Sequence, residues 1–207
     1  APPVVPPAPA RAIAPLGCLG IGASTGGIHA LGQLFNGLAA PLGVPILVTQ
    51  HLPLSFTVYF AQQLGRMTRL RVKVAEQGEP LLPDIVYIAP GDANLRCRRG
   101  LHGRVVAMLD PERTPTGNLP GVDPMFTSMA KAYGPGAAGI VLTGMGRDGT
   151  QGARAIMASG GWIVAQDEAS SVVWGMPGSV ADAGLCCAVL EPSAIMPFVT
   201  QRSKGLN

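Results

Sequence analysis

Short apolar runs that alternate with helical segments constrain the fold of this chain more than any other feature of its sequence. This alternation predicts an α/β fold, a doubly wound, mostly parallel sheet with helices on both faces and right-handed crossovers. The predicted strands are 16–21, 44–49, 72–75, 85–89, 139–142, 162–165 and 186–190, and the predicted helices are 28–38, 56–67, 124–133, 150–159 and 194–199. Segments 93–98 and 104–109 surround two glycines and predict a β-hairpin near 93–109.

The composition fits this architecture and excludes several classes of function. Of the 207 residues, 13% are charged, about half the usual share, as expected for strands covered on both faces. The net charge of +3 is small, and the densest basic cluster, 96–99, flanks a glycine of the predicted hairpin. We therefore expect no nucleic-acid partner. No apolar stretch reaches the roughly 18 residues of a membrane span, so we also expect no membrane insertion.

Cysteine and histidine usage argues against a disulfide framework or a metal site. Cys18, Cys97, Cys186 and Cys187 form no C-x-x-C pair, and two of them are adjacent. Only three histidines are present, too few to favour a zinc site. Reduced cysteines that fill space indicate a cytoplasmic protein.

The amino-terminal segment differs in composition from the rest of the chain. Residues 1–14 are almost entirely proline, alanine and valine, which predicts an extended, semi-rigid linker. Residues 15–207 form the second predicted unit, a single domain of ordinary size. The first residue is alanine rather than methionine, and we expect the chain to be part of a longer protein.

The segment 22–27, Gly-Ala-Ser-Thr-Gly-Gly, directly follows the first predicted strand and precedes a helix. It fits the G-x-S-x-G nucleophile elbow, in which small neighbours tolerate a strained turn that exposes the serine hydroxyl. Covalent acyl chemistry at Ser24 is therefore the leading hypothesis. The alternative is a glycine-rich turn that binds a phosphate or only turns the chain.

Two further groups with the chemistry of acyl transfer follow other strands. His51 comes after the second predicted strand, and Asp148 lies in a glycine-rich loop after strand 139–142. Ligands of parallel sheets bind beyond the carboxyl ends of the strands, so these side chains are expected on one rim with Ser24. Serine would attack, histidine would take its proton, and aspartate would orient the histidine.

Each of these assignments has competitors. His29 is expected on the first helix and His102 in the hairpin turn, whereas His51 itself can be a loop residue bonded to backbone. Asp148 directly precedes a helix, where an aspartate N-cap stabilises by about 0.5–2 kcal/mol. The other candidate carboxylates are Asp123, Asp167 and Glu168.

Oxyanion stabilisation requires preorganised backbone donors. The N–H of Thr25, next after the candidate nucleophile, is the first candidate, and the loop near Met145 is the second; either residue can instead serve the turn or the packing. The order serine, histidine, aspartate differs from the α/β-hydrolase order, which indicates another architecture with the same chemistry.

These positions, with several longer segments, resemble the catalytic domain of the chemotaxis protein-glutamate methylesterases, the CheB family. The resemblance extends from Leu16 to Phe198. The segments that carry it are IGASTGG (21–27), TQHLP (49–53), YIAPGD (87–92), VD (122–123), LTGMG (142–146), DG (148–149) and GMP (175–177).

The resemblance implies a Ser24, His51 and Asp148 triad, with Thr25 and Met145 in the oxyanion region. It also implies hydrolysis of glutamate methyl esters on cytoplasmic receptor helices, deamidation of receptor glutamines, and no metal or organic cofactor. Family members commonly carry a phospho-accepting receiver domain upstream, as in two-component signalling. Segment 1–14 resembles the remnant of the linker to such a domain.

Two positions depart from the family pattern. Arg147 stands where asparagine is usual, and the loop 114–121 lacks an arginine before Pro120. Arg147 adds a charge beside the candidate orienting aspartate, and the change in the loop bears on substrate contacts rather than on the three catalytic roles.

Two other functions remain open at this level. The glycines before the first helix loosely resemble a dinucleotide fingerprint, but no acidic residue ends the second strand. A receptor-binding module that no longer catalyses would carry the same residues in a misaligned arrangement.

Overall fold

The structure, a computed structural model, describes residues 14–204. In this range the strands are β1 (Cys18–Ala23), β2 (Ile46–Gln50), β3 (Arg71–Val74), β4 (Ile85–Ile88), β5 (Asn94–Arg99), β6 (Val105–Asp110), β7 (Ala137–Val141), β8 (Trp162–Gln166) and β9 (Ala188–Leu190). The helices are α1 (Gly27–Asn36), α2 (Leu54–Met67), α3 (Val122–Tyr133), α4 (Thr150–Ala158), α5 (Met176–Asp182) and α6 (Pro192–Ser203).

The main sheet has seven strands in the order β3-β4-β2-β1-β7-β8-β9, and every neighbouring pair is parallel. β5 and β6 form the separate antiparallel hairpin. The first crossover leaves β1 toward β2, whereas the crossover after β7 leads away from β1 toward β8. The carboxyl ends of β1 and β7 therefore flank the point where strand order reverses, the usual position of a ligand site in such sheets.

Helices cover both faces of this sheet, as the alternation of apolar runs predicts. One buried cluster joins the sheet to α1, α2 and α6, and a second joins its other face to α3, α4, α5 and the hairpin. Successive residues of a strand point to opposite faces. On β1, Leu19 and Ile21 accordingly belong to the first cluster, whereas Cys18 belongs to the second.

Glycine on β1 lets α3 approach the sheet closely. A Cβ atom at position 22 would lie 2.5 Å from Val122 Cγ1, and one at position 20 would lie 2.6 Å from Met129 Sδ. Val122 is the first residue of α3. The absence of side chains at these strand positions thus brings the start of α3 next to the end of β1.

The predicted fold class is confirmed, while several element bounds differ. Helix α5 was not predicted, because its seven residues begin with Met-Pro-Gly, a sequence typical of turns. The structure places α6 at Pro192–Ser203, longer than predicted at both ends, since Pro192 fits the first turn of a helix. Most of the predicted linker 1–14 lies outside the described residues, so the division at residue 14 stays a prediction. Between residues 14 and 204, no helix is long and apolar enough to cross a membrane.

We expect Gly22→Ala to destabilise the fold, because its methyl group would overlap the branched Val122 side chain. Overpacking of this kind lowers the free energy of unfolding by about 1–3 kcal/mol. Gly65→Ala, within α2, is the control, since a Cβ atom there would come no closer than 3.8 Å to a neighbour. Urea unfolding measures both variants, and equal stability of the two would contradict the close approach of α3.

Candidate active site

Ser24 lies in the turn between β1 and α1, at the carboxyl edge of the sheet. The turn closes where the Gly27 N–H donates to the Ser24 carbonyl over 2.8 Å. Gly26, the N-cap residue just before α1, has φ of 83°, a left-handed conformation that favours glycine. The strand–turn–helix arrangement predicted for a nucleophile elbow is therefore present at this position.

Two neighbouring strands hold the elbow in place. From β2, the side-chain amide of Gln50 donates to the Ser24 carbonyl over 2.8 Å. After β7, the Thr143 carbonyl accepts from the Ser24 N–H at 3.0 Å, and the Thr143 hydroxyl donates to the Thr25 carbonyl at 2.9 Å. Sequence reasoning missed Gln50 and Thr143 as site residues. Their positions at the strand ends next to β1 were the available signal.

His51 directly follows β2 and contacts Asp148. The imidazole Nε2 lies 2.7 Å from Asp148 Oδ2. Because a carboxylate only accepts hydrogen bonds, Nε2 carries the proton in this pair, and Nδ1 of the neutral ring keeps its lone pair. The ring nitrogen that remains to accept a proton from a nucleophile is therefore Nδ1.

The Asp148 carboxylate is almost fully buried and accepts three further hydrogen bonds. Its donors are the backbone N–H groups of Val122 at 2.7 Å, Asp123 at 3.0 Å and Gly149 at 3.0 Å. Burial by itself would raise the pKa of Asp148. The hydrogen bonds from His51, Val122 and Asp123 outweigh burial, so the pKa is lowered and the group stays ionised.

Asp148 is not the N-cap of the helix that follows it, contrary to the alternative left open by the sequence. Gly149 occupies that position with φ of 96°, and α4 has no side-chain cap. This left-handed turn points the Asp148 carboxylate away from α4. Instead it accepts from the first N–H groups of α3, which have no partners within their own helix.

Ser24 and His51 lie on adjacent strand ends and line the same open cavity of about 570 Å³. The His51 N–H donates to the carbonyl of Ala23, the residue before the serine, over 3.0 Å. Among residues 14–204, Ser24 Oγ forms no hydrogen bond with the imidazole. The structure therefore brings histidine and aspartate into contact and places serine beside them. Hydrogen bonds between a nucleophile and its base are often long in unliganded enzymes and shorten when substrate binds.

Thr25 directly follows the serine, and Met145 lies in the loop after β7 beside it. Both side chains are exposed, so neither is packed in the core. Their backbone N–H groups have no hydrogen-bond acceptor within the described part of the chain. Gly144 brings the Met145 loop close, since a Cβ atom there would lie 2.7 Å from Ser24 Cβ. Both amides are therefore available to donate to an oxygen bound near Ser24.

Of the competing histidines and carboxylates, His102 and Asp167 lie in other loops, whereas His29 and Asp123 lie close to the site. His102 lies exposed in the hairpin turn with φ of 61°, and Asp167 accepts from the Ser170 hydroxyl. His29 is on α1, as expected, but it is exposed and lines the same cavity as Ser24. Asp123 adjoins Asp148 and accepts from the Gly152 N–H over 2.7 Å.

The two departures from the family pattern lie beside the site. Arg147 is exposed and lines a second cavity, of about 720 Å³, between α4 and α5. On the other side of His51, loop residues 117–120 and Arg113 line a third cavity, of about 410 Å³.

Comparisons with known proteins found a matching family, similar sequences and a similar structure. The sequence profile of the family described as CheB methylesterase matches residues 19–199. A protein-glutamate methylesterase/protein-glutamine glutaminase of Maricaulis maris is 46% identical over 191 residues, which cover 91% of this chain and 47% of that protein. A protein of the same name in Caulobacter vibrioides is 42% identical, with 93% and 55% covered.

A solved structure is also similar. The crystal structure of the Thermotoga maritima CheB methylesterase catalytic domain superimposes with a TM-score of 0.87 at 36% sequence identity. The match covers 91% of this chain and all of that domain. The chain thus spans about half the length of the curated relatives that it matches, and this half corresponds to the crystallised catalytic domain.

We expect Asp148→Asn to lower stability at neutral pH, because the amide would present N–H groups to two of the four donors around it. Leaving buried donors unpaired costs about 1–3 kcal/mol each. The lowered pKa of Asp148 contributes stability above the unfolded-state value of about 3.9, and this contribution is lost as the pH falls through the folded-state value. The deficit of the variant should therefore be largest near neutrality and shrink in acid.

Chemical unfolding at pH 7 and at about pH 3 measures this difference. Asp92→Asn, at an exposed carboxylate, is the matched control and should change little at either pH. A deficit in Asp148→Asn that does not depend on pH would contradict the ionised, hydrogen-bonded carboxylate.

Proposed function

The chain belongs to the CheB methylesterase family, and we propose that it hydrolyses methyl esters of glutamate side chains on chemoreceptors, with Ser24, His51 and Asp148 as its catalytic triad. The observation that carries this proposal is the 2.7 Å contact between His51 and the buried Asp148 at the strand end next to Ser24. That contact fixes one imidazole tautomer and leaves Nδ1 to accept a proton, and His51 lines the same cavity as Ser24.

In the proposed acylation step, Ser24 Oγ attacks the carbonyl carbon of the ester while His51 Nδ1 takes the hydroxyl proton. The developing oxyanion accepts hydrogen bonds from the N–H groups of Thr25 and Met145. The tetrahedral intermediate then collapses. The C–O bond to the methoxy group breaks, His51 returns its proton to the leaving oxygen, and methanol departs.

Deacylation repeats these roles with water as the nucleophile. His51 takes a proton from water, the hydroxide attacks the acyl-serine, and the proton returns to Ser24 Oγ as the glutamate carboxylic acid is released. A glutamine side chain would follow the same route with ammonia as leaving group. One site would thereby serve both the methylesterase and the glutaminase activities that the names of its relatives give.

The surface around the site supports a protein substrate rather than a small ester. Ten large apolar side chains are exposed among the described residues, and six of them flank the site. Met145 lies in the loop next to Ser24, and Val172 contacts Gly26 of the elbow. The other four, at positions 54, 56, 58 and 59, belong to the first turns of α2, directly after His51.

This first part of α2 is also uncharged, since the sequence from Leu52 to Gly65 contains no acidic or basic residue. Exposed apolar surface of this kind marks protein interaction sites. We infer that it contacts the helical cytoplasmic region of a receptor beside the scissile glutamate, and we propose that the protein acts in the cytoplasm.

The proposed function predicts that Ser24→Ala abolishes release of methanol from methylated receptor. His51→Ala should lower the rate by a factor on the order of 10³ or more, because the serine loses its base. His29→Ala is the matched control, since it removes a histidine from the same cavity without touching Asp148. The readout is labelled methanol from receptor membranes that carry labelled methyl esters.

Release of methanol at the same background rate by the wild type and by Ser24→Ala would contradict the esterase and favour a receptor-binding module with a misaligned triad. A large loss in His29→Ala with little loss in His51→Ala would reassign the base.

A second prediction concerns the apolar start of α2. We expect Phe56→Ser combined with Tyr59→Ser to raise KM for receptor, because two side chains that are 56% and 65% exposed lose their contacts with the substrate helix. Turnover of a small aryl ester should stay within about twofold, since neither residue lines the cavity of Ser24. Leu82→Ser, at an exposed leucine before β4, is the control. Equal KM values for receptor in all three proteins would contradict this docking surface.

A further inference from the structure

Each of helices α3 and α4 donates its first N–H groups to a carboxylate that belongs to, or directly precedes, the other helix. The first two N–H groups of α3, from Val122 and Asp123, donate to Asp148, which lies just before α4. In return, the Gly152 N–H in the first turn of α4 donates to Asp123 Oδ1, in the first turn of α3. Neither helix has a side-chain cap of its own.

These hydrogen bonds tie the two helices together at the active-site end. A Cβ atom at Gly152 would lie 2.5 Å from Phe126 Cβ and 3.0 Å from the Asp123 carbonyl oxygen, so α4 packs closely against α3 at a position without a side chain of its own. First-turn N–H groups have no partners within their own helix, so each carboxylate supplies an acceptor that these groups would otherwise lack. A shift of α4 relative to α3 would therefore move the donors that hold Asp148.

We propose that Asp123 is a positioning residue for the catalytic pair, acting by locking α4 against α3 so that Asp148 keeps its contact with His51. This inference rests on the proposed function for its consequence in turnover. Its structural part, the dependence of the His51–Asp148 contact on Asp123, stands without any activity. Asp123 itself touches neither the imidazole nor Ser24 among the described contacts.

The environment of Asp123 indicates that its placement has an energetic cost. Burial and the neighbouring Asp148 carboxylate raise the pKa of Asp123 to about 6, although the Gly152 N–H opposes this rise. No salt bridge to Asp123 is formed within residues 14–204. The backbone donors of α4 are thus the interactions that hold this carboxyl in place.

Two substitutions of Asp123 distinguish the effect of its hydrogen-bond acceptor from the effect of its charge. Asp123→Asn keeps a side-chain oxygen for the Gly152 N–H, whereas Asp123→Ala removes the acceptor. The control is Ser159→Ala at the other end of α4, where the hydroxyl donates to the Gly134 carbonyl at 3.1 Å and the Ile156 carbonyl at 2.8 Å. That control loosens the same helix away from the site.

The main readout is the low-field proton NMR resonance of the His51 Nε2–H bonded to Asp148, assigned by its absence in His51→Ala and Asp148→Asn. We expect Asp123→Ala to lose or broaden this resonance and to lower kcat roughly 10- to 100-fold with KM changed less than about twofold. Asp123→Asn should keep the resonance and a kcat within about threefold of wild type. Ser159→Ala should lower the melting temperature but leave the resonance and kcat unchanged.

Three outcomes would overturn the proposal. The first is an unchanged resonance and kcat in Asp123→Ala. The second is an Asp123→Asn variant as impaired as Asp123→Ala, which would assign the effect to charge. The third is an equal loss of the resonance and of kcat in Ser159→Ala, which would attribute the effect of Asp123→Ala to a general loss of stability. If the wild-type protein released no methanol, the proposed function would fail, whereas the resonance would still decide the role of Asp123.

Discussion

The buried carboxylate of Asp148 is the interaction on which the rest of this site depends. Four N–H groups from three separate parts of the chain converge on its two oxygens: one from His51, two from the start of α3, and one from Gly149. An ionised carboxylate inside a protein is tolerable only when such donors surround it. The fold must therefore bring β2, α3 and the loop after β7 to one place, and the same convergence orients the imidazole.

Glycine makes that convergence possible. Gly22 lets the start of α3 lie against the end of β1, Gly144 lets the loop after β7 approach Ser24, and Gly149 turns the Asp148 side chain away from its own helix. A side chain at the first two positions would overlap a neighbour, and the third requires a left-handed backbone. The glycine-rich segments of the sequence thus act through close approach and backbone conformation rather than through flexibility.

The sequence predicts the sheet, the rim and the candidate triad because each depends on local signals: apolar runs, turn glycines and the residue that follows each strand. It does not predict which carboxylate accepts from the first N–H groups of α3 and of α4, because tertiary packing decides that partner. Asp148 precedes α4 and was an ordinary candidate for its cap, yet it serves α3, whereas Asp123 serves α4. Gln50 and Thr143 escaped notice for a similar reason, since only the pairing of β1 with β2 and β7 brings them to the elbow.

Covalent labelling tests most directly whether Ser24 works as a nucleophile activated by the pair beside it. A phosphonofluoridate ester loses fluoride when an activated serine attacks its phosphorus, and peptide mass spectrometry locates the adduct. We predict a single adduct on Ser24 that forms readily in the wild type and is lost when His51 or Asp148 is replaced by alanine. An adduct on another residue, or labelling of Ser24 at the same rate without His51, would contradict the triad.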